Sequence, residues 1–382
     1  MRAISLFNLI SLVTAMILFS CSQQEATFTV EEIGGVKQIH NTAPAWGDEP
    51  EVSLEFVAKI GDLEGADDNY LLHRPEDVVV DSKGMIYIMD VGNHRIQKYS
   101  PDGGYIGTLG RSGQGPGEFP HYLRCMDIHH DTLRVAHSNV QLSFMTTDGA
   151  ELRRFRGPVF TSLRHFSTGE FVSRAGIRVI YGDDSYTYDR SGSALYRTLS
   201  SEDGSVLRMF GTPEFRDDAK ETAELNQVYV EPDEDNNLFL SYLFRNRLDK
   251  YTHDGEQIYT AEFPMKYDIQ DNAVFVHDPS RKTSPLASFT IVSEGAGIDS
   301  RGRVWILSPS APIPSVNPEG ITVDPGQKAF DLHVLDQDGV YLGMLPVPVG
   351  WRTMRMRIFG DRLFLLESVN LMTVHEYRIV EK

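Results

Sequence analysis

The chain predicts an all-β fold, a six-bladed β-propeller closed by an N-terminal strand, on three observations. A hairpin start recurs six times, at Gly84-Met85-Ile86-Tyr87, Asp131-Thr132-Leu133-Arg134, Gly169-Glu170-Phe171-Val172, Asn236-Asn237-Leu238-Phe239, Gly302-Arg303-Val304-Trp305 and Asp361-Arg362-Leu363-Phe364. An Asp-Gly turn before a further strand recurs at Asp102, Asp148, Asp203, Asp254 and Asp338. A period near ~45 residues, stretched by insertions, is what four-stranded blades leave in a sequence. The third observation is a pair of leftovers. The sixth copy lacks its Asp-Gly turn and fourth strand, while Val52 to Gly61 is a strand without a blade. Joining the two closes the ring and removes an exposed ladder edge.

In chain order, residues 1–20 come first as a secretory signal. Met1-Arg2 gives a positive start, Ile4 to Phe19 is an apolar run too short for an ordinary transmembrane helix, and Leu18-Phe19-Ser20-Cys21 closes it. A small residue directly before a cysteine is a lipobox-like cleavage site, so Cys21 is expected to carry a diacylglycerol. Residues 21–50 are polar, contain Gly34-Gly35 and Asn41-Thr42-Ala43-Pro44, and read as a tether with a short strand near Thr27 to Glu31. The propeller is expected over 51–382. With Cys21 acylated, Cys125 has no partner among the two cysteines, so stability must come from packing.

Blade one is the clearest unit. Asp77-Val78-Val79-Val80 is a strand, Asp81-Ser82-Lys83-Gly84 a tight turn, and Met85 to Met89 a second strand. Asp90-Val91-Gly92-Asn93 turns into Arg95 to Tyr99, and Asp102-Gly103 leads into Tyr105 to Leu109. At Asp90-Val91-Gly92-Asn93-His94-Arg95-Ile96 and at Gly110-Arg111-Ser112-Gly113-Gln114-Gly115-Pro116-Gly117-Glu118-Phe119 the sequence resembles the NHL repeat family. The match is specific in blade one, recognisable in blade two, and a pattern of strands and turns beyond. With the lipobox, the chain is similar to six-bladed propeller lipoproteins common in Bacteroidota. That resemblance implies a fold and no single chemistry, because related propellers bind proteins, bind RNA, or act as lactonases and lyases.

Several motifs carry less than they suggest. Gly113 to Gly117 lacks the Gly-Lys-Ser/Thr end of a phosphate loop and has no helix after it, so it reads as a blade connector. Asp233-Glu234-Asp235-Asn236-Asn237 spaces oxygen ligands like a calcium loop but lacks the later glycine and glutamate, and reads as a hairpin turn. The twelve histidines are scattered, and neither Gly-x-Ser-x-Gly nor His-Glu-x-x-His occurs. A net charge of −18, from 36 Lys+Arg against 54 Asp+Glu, argues against nucleic acid as a partner.

A propeller presents its functional face at the end where second-to-third-strand loops and blade-to-blade connections open. Arg74, Glu76, Arg95, His121, Tyr122, Arg174, Arg245, Arg247, Trp351 and Arg352 are the candidate ligand-binding residues there, with Glu294 beside them. Arg124, Arg164 and Arg355 fall on innermost strands. Guanidinium forks with aromatic rims suit a carboxylate, a sugar acid or an acidic peptide. Insertions are expected in blade five, Asp271 to Pro285 before its first strand and Pro309 to Gln327 between its second and third strands, the latter projecting over the same face as a lid, a partner-contact loop or a passive surface loop.

The expected function is a lipid-anchored, non-catalytic binding module of the cell envelope, monomeric and held in the outer membrane. Its partners would be the membrane, through the anchor, and an envelope protein or small anion. The alternative class is a metal-dependent lactonase- or lyase-like enzyme, with Glu76 and Asn226 as two ligands. No catalytic residue, metal site or cofactor is assigned. A calcium ion in the channel belongs to the alternative.

Overall fold

The computed structural model describes residues 26–65, 67–119, 122–138, 140–181, 186–269, 273–276, 286–313, 329–347 and 354–382. Cys21, His121, Trp351 and Arg352 lie outside them. Six antiparallel blades form the propeller, their innermost strands at Pro75–Val80, Leu123–His129, Arg164–His165, Val228–Pro232, Gly295–Ile298 and Met354–Phe359.

Alternation within each strand explains how the blades stack. In blade one Val79, Tyr87, Lys98 and Gly107 stand side by side across the four strands. The second strand, Ile86–Asp90, is buried along its whole length because a neighbouring blade covers each pleat face. The apolar core is therefore divided into layers, one between each pair of neighbouring blades. Val79, Tyr87, Met126 and Val135 fill the layer between blades one and two, and Trp305, Leu332, Met356 and Leu365 that between five and six.

Polar stitches repeat beside the apolar layers. Met126 N donates to Asp77 Oδ2 at 2.9 Å, Ser82 Oγ to Asp131 Oδ2 at 2.8 Å and Lys98 Nζ to the Thr147 carbonyl at 2.9 Å, every pair 49 residues apart. That spacing is the repeat length in the first blades, slightly longer than the sequence suggests. The Asp-Gly turns serve the stacking as well. Gly255, at φ 91°, lies so close to Phe210 of the preceding blade that an added Cβ would come within 2.0 Å of Cδ1. Only glycine meets both demands there.

Ring closure follows the expected route. Val52–Ile60 pairs antiparallel with Thr373–Glu381 from Val52↔Glu381 to Ile60↔Val374, supplying the outer strand of blade six.

The segment expected as a tether holds the short strand expected near Thr27 to Glu31, but it is bound to the propeller rather than free. Phe28–Ile33 and Val36–Asn41 form a hairpin around Gly34-Gly35, and the second strand pairs in parallel with Gln257–Glu262, making blade four a six-stranded sheet. Ile39 is buried against Tyr259 and Ala261. Asn41 is buried too, donating to the carbonyls of Glu262 and Gly339 at 2.8 and 3.0 Å and accepting from Tyr341 N at 2.9 Å. Ala45 N and Trp46 N then donate to the Tyr341 and Leu342 carbonyls of blade five, and Trp46 covers Gly343. Residues 28–46 are thus a strap laid over the outer edges of blades four and five. Polarity misled the sequence reading, because an outermost hairpin can leave its first strand, Phe28–Ile33, largely exposed.

Further decoration lies on blades three to five. A hairpin of Val179–Tyr181 and Tyr186–Tyr188 extends blade three, and a helix, Ala219–Leu225, precedes blade four. A third hairpin pairs Val274–Val276, inside the insertion expected before blade five, with Leu286–Ser288 just beyond its end. The second expected insertion falls largely outside the described residues.

Candidate ligand-binding site at the channel mouth

All six innermost strands start at one end of the molecule, and their first residues surround a cavity of about 280 Å³. Blade one contributes Glu76 and Asp77, blade two Arg124 and Cys125, blade three Ser162, Arg164 and Arg174, blade four Gln227 and Tyr229, blade five Glu294, and blade six Arg355 and Arg357.

Two of these side chains are aimed by irregularities in the ladder. In blade one the register moves from Pro75↔Asp90 to Asp77↔Met89, leaving Glu76 as an extra residue. In blade two it moves from Leu123↔His137 to Cys125↔Ala136, leaving Arg124 extra in the same way. A bulge leaves one residue without a ladder partner and re-aims its side chain, here toward the channel.

Buried ion pairs floor the cavity. Arg357 of blade six donates to Asp77 Oδ1 at 2.8 Å, and Arg164 of blade three meets Glu231 of blade four at 2.6 Å. Burial alone would lower the Arg164 pKa, but Glu231 outweighs it and drives it upward. Asp127 of blade two accepts from His165 of blade three at 2.8 Å. Burial pushes the Asp127 carboxyl up, yet His165 and Arg134 prevail and hold it low. Cys125 is a free, buried thiol whose pKa desolvation drives upward, as expected of an inert wall residue.

The rim is divided between paired and unpaired cations. Glu76 accepts from Arg74 at 2.7 Å and faces Arg355 at 3.4 Å. Among the described residues, no carboxylate lies within ion-pair distance of Arg124 or Arg174. Arg174 sits where Phe171–Gly176 emerges from the buried run Phe171-Val172-Ser173 into the mouth. Its only side-chain hydrogen bond among the described residues runs from Nη1 to Gln227 Oε1, at 3.1 Å. Desolvation lowers its pKa, with Tyr229 and Glu224 opposing. A half-buried cation facing a neutral amide is poorly compensated, and an anion entering the cavity would supply what is missing.

The sequence candidates separate into two groups. Arg174 lines the cavity, Glu76 and Glu294 edge it, and Arg74 and Tyr122 lie with Arg124 and Arg355 in an adjoining depression. Tyr122 is 62% exposed there. Arg95, Arg245 and Arg247 line neither space. Arg95 donates to buried Asp90 at 2.8 Å and to the Leu71 carbonyl at 2.9 Å. Arg247 holds Asp249 through Nε and Nη2 at 2.7 and 2.8 Å, and Arg245 reaches Glu214 at 2.6 Å. Their partners are Asp90 at the end of the preceding strand, Asp249 two residues on in the same strand, and Glu214 ahead of blade four, which spacing alone does not reveal. Gln227, Tyr229, Asp77 and Arg357 escaped the sequence reading as site residues, although each lies on or directly before an inner strand, as Glu76 does.

The two residues considered as metal ligands do not meet. Glu76 is held by arginines, while Asn226 donates to the Glu214 and Thr222 carbonyls at 2.7 Å each. Among the described residues no group of three or more His, Cys, Asp or Glu side chains is arranged to hold a metal ion. Asp233 to Asn237 is a hairpin turn, with Asp233 Oδ1 accepting from Asn237 N at 2.7 Å. No helix among the described residues is long and apolar enough to cross a membrane.

The NHL repeat profile matches residues 72–99, the approach to blade one and its first three strands. No curated protein matches the chain. Among solved structures, an exported protein of Bacteroides fragilis NCTC 9343 aligns over 90% of this chain and 99% of its own, at 10% identity and a TM-score of 0.58. A DUF4221-family member from Bacteroides vulgatus ATCC 8482 aligns over 88% of this chain and 100% of its own, at 13% identity and a TM-score of 0.54. Virginiamycin B lyase from Staphylococcus aureus, at 10% identity, covers 86% of this chain and 100% of its own with a TM-score of 0.45, too remote to carry an argument. The chain therefore contains an NHL repeat and shares the propeller fold of these Bacteroides proteins.

Proposed function

We propose that the protein is an exported binding module, anchored through a lipid on Cys21, whose channel mouth takes an anionic ligand or acidic segment without transforming it. One observation carries this reading: in a ring of ion-paired charges, Arg124 and Arg174 face the same cavity without a carboxylate partner among the described residues. Five arginines and three acids line that cavity, although the whole chain carries −18. Concentrating cations in a concave, partly desolvated site attracts and orients anions. The Leu18-Phe19-Ser20-Cys21 motif supports the anchor.

The test is equilibrium binding of glucuronate, citrate and an acidic peptide to the wild type and to Arg124→Gln with Arg174→Gln. At least one anion should bind, and the double variant should weaken it by tenfold or more, as loss of charge-assisted contacts implies. Equal affinity in both proteins, or no binding to either, would refute the reading. Detergent-phase partitioning that survives Cys21→Ala would refute the anchor.

A further inference from the structure

Three residues link the decorated side of the mouth to the unpaired guanidinium. Glu224 lies in the short helix Ala219–Leu225 ahead of blade four, and Gln227 begins the approach to its inner strand. The Gln227 amide is oriented from both sides: Nε2 donates to Glu224 Oε2, and Oε1 accepts from Arg174 Nη1 at 3.1 Å. The backbone is fixed too, with Gln227 N donating to the Glu224 carbonyl and Leu243 N to the Gln227 carbonyl, both at 3.0 Å. A carboxylate is thus present in the vicinity of Arg174, yet an amide stands between them.

We infer that Gln227 is a positioning residue that insulates Arg174 from Glu224, keeping the guanidinium unpaired so that it captures the carboxylate of a ligand. This inference rests on the binding reading above and adds the ligand's class and the residue that preserves the site for it. The geometry gives the reason. With Nη1 committed to Gln227, the Nε and Nη2 edge of the planar fork remains for two coplanar oxygens, the bidentate match of a carboxylate. Had position 227 been glutamate, its carboxylate would occupy Arg174 from within, as Asp249 occupies Arg247 and Asp90 occupies Arg95. Those two arginines lie outside the cavity.

The decisive variant exchanges the two side chains, Glu224→Gln with Gln227→Glu. Composition and net charge are unchanged, and the 224–227 hydrogen bond can re-form with donor and acceptor reversed. Only the position of the carboxylate moves, into contact with Arg174. Melting temperatures are read in chloride, glucuronate, a glutamate-terminated peptide and phosphate at matched ionic strength, for the wild type, the exchange variant and Gln227→Ala.

In chloride the exchange should melt a few degrees above wild type, because a half-buried cation gains its partner. Glucuronate or the peptide should raise the wild-type midpoint, and which one does so separates a sugar acid from a peptide source. The exchange should abolish that rise, and Gln227→Ala, which removes the amide standing between Glu224 and Arg174, should weaken it. A rise that persists in the exchange variant overturns the insulating role and leaves the binding reading standing. If no anion shifts the wild type yet the exchange is more stable in chloride, the insulating role stands and the binding reading falls. A wild-type response to phosphate as large as that to the carboxylates overturns the assigned class, and an undiminished rise in Gln227→Ala overturns insulation. Should the exchange variant not fold, Gln227→Ala against wild type still decides whether removing the amide weakens the response.

Discussion

Glu76 and Arg124 occupy the same place in consecutive blades, each the extra residue of a bulge in the inner strand, and they carry opposite charges. Glu76 is neutralised by Arg74 and Arg355, whereas Arg124 faces the cavity alone among the described residues. One backbone device thus presents a satisfied acid in one blade and an available base in the next. Beneath them the channel is floored by pairs whose purpose is structural, and the first prediction concerns that floor.

Asp77 joins three blades, accepting from Arg357 of blade six at 2.8 Å and from Met126 N of blade two at 2.9 Å. Asp77→Asn leaves the Arg357 guanidinium buried without its counter-charge. Removing one partner of a buried pair costs about 3–5 kcal/mol. Urea denaturation should show a loss of that order with an unchanged slope. A loss under ~1 kcal/mol would mean that water or a neighbouring acid compensates Arg357.

The strap makes truncation expensive where a free tether would make it harmless. Deleting residues up to Trp46 removes buried Ile39, worth about 1.5–3 kcal/mol, together with the three hydrogen bonds of Asn41, each worth about 1 kcal/mol. Asn41→Ala alone should cost roughly 1–3 kcal/mol, by stranding Tyr341 N and two carbonyls. A truncated protein that melts with the full-length one would show the strap to be dispensable. Deletion through Gly61 also removes the blade-six strand and should open the ring.

His333 predicts a pH dependence. It is buried in blade five, 2% exposed, with Nδ1 3.1 Å from the Tyr341 hydroxyl, and burial lowers its pKa from the ordinary 6.5 to about 4, with Asp331 opposing and Lys266 reinforcing. Because the folded value lies below the unfolded one, the unfolded chain binds the extra proton between them. Its contribution is complete above pH 6.5 and declines as the pH falls toward 4, by about 1.4 kcal/mol per pH unit. His333→Gln should flatten the stability profile within that window relative to wild type. Parallel profiles would remove His333 as a source of acid sensitivity.

What the sequence disclosed, and what it hid, divides along physical lines. Strand alternation and Asp-Gly turns are local, so six blades could be read from residue order, and the orphan strand at Val52 had one blade to complete. Gly34-Gly35 between two six-residue strands is itself a hairpin signal, but the polar Lys37, Gln38 and His40 conceal its second strand. The bulges at Glu76 and Arg124 arise from pairing two residues against one, which no single strand records. Whether an arginine is free or tied is likewise non-local. Arg95 and Arg174 look alike in sequence, and only their neighbours, Asp90 and Gln227, separate them.

The closure of blade six also constrains the order of folding. Val52–Ile60 pairs with Thr373–Glu381, so a strand that leaves the ribosome early waits for one made five blades later. Bringing ends so far apart together has a large loop-closure entropy, and such long-range pairing is slow. In the interval Phe56 and Val57 sit on an orphan edge open to other chains. Pairing with Thr373–Glu381 covers that edge, so closing the ring also protects the chain from self-association.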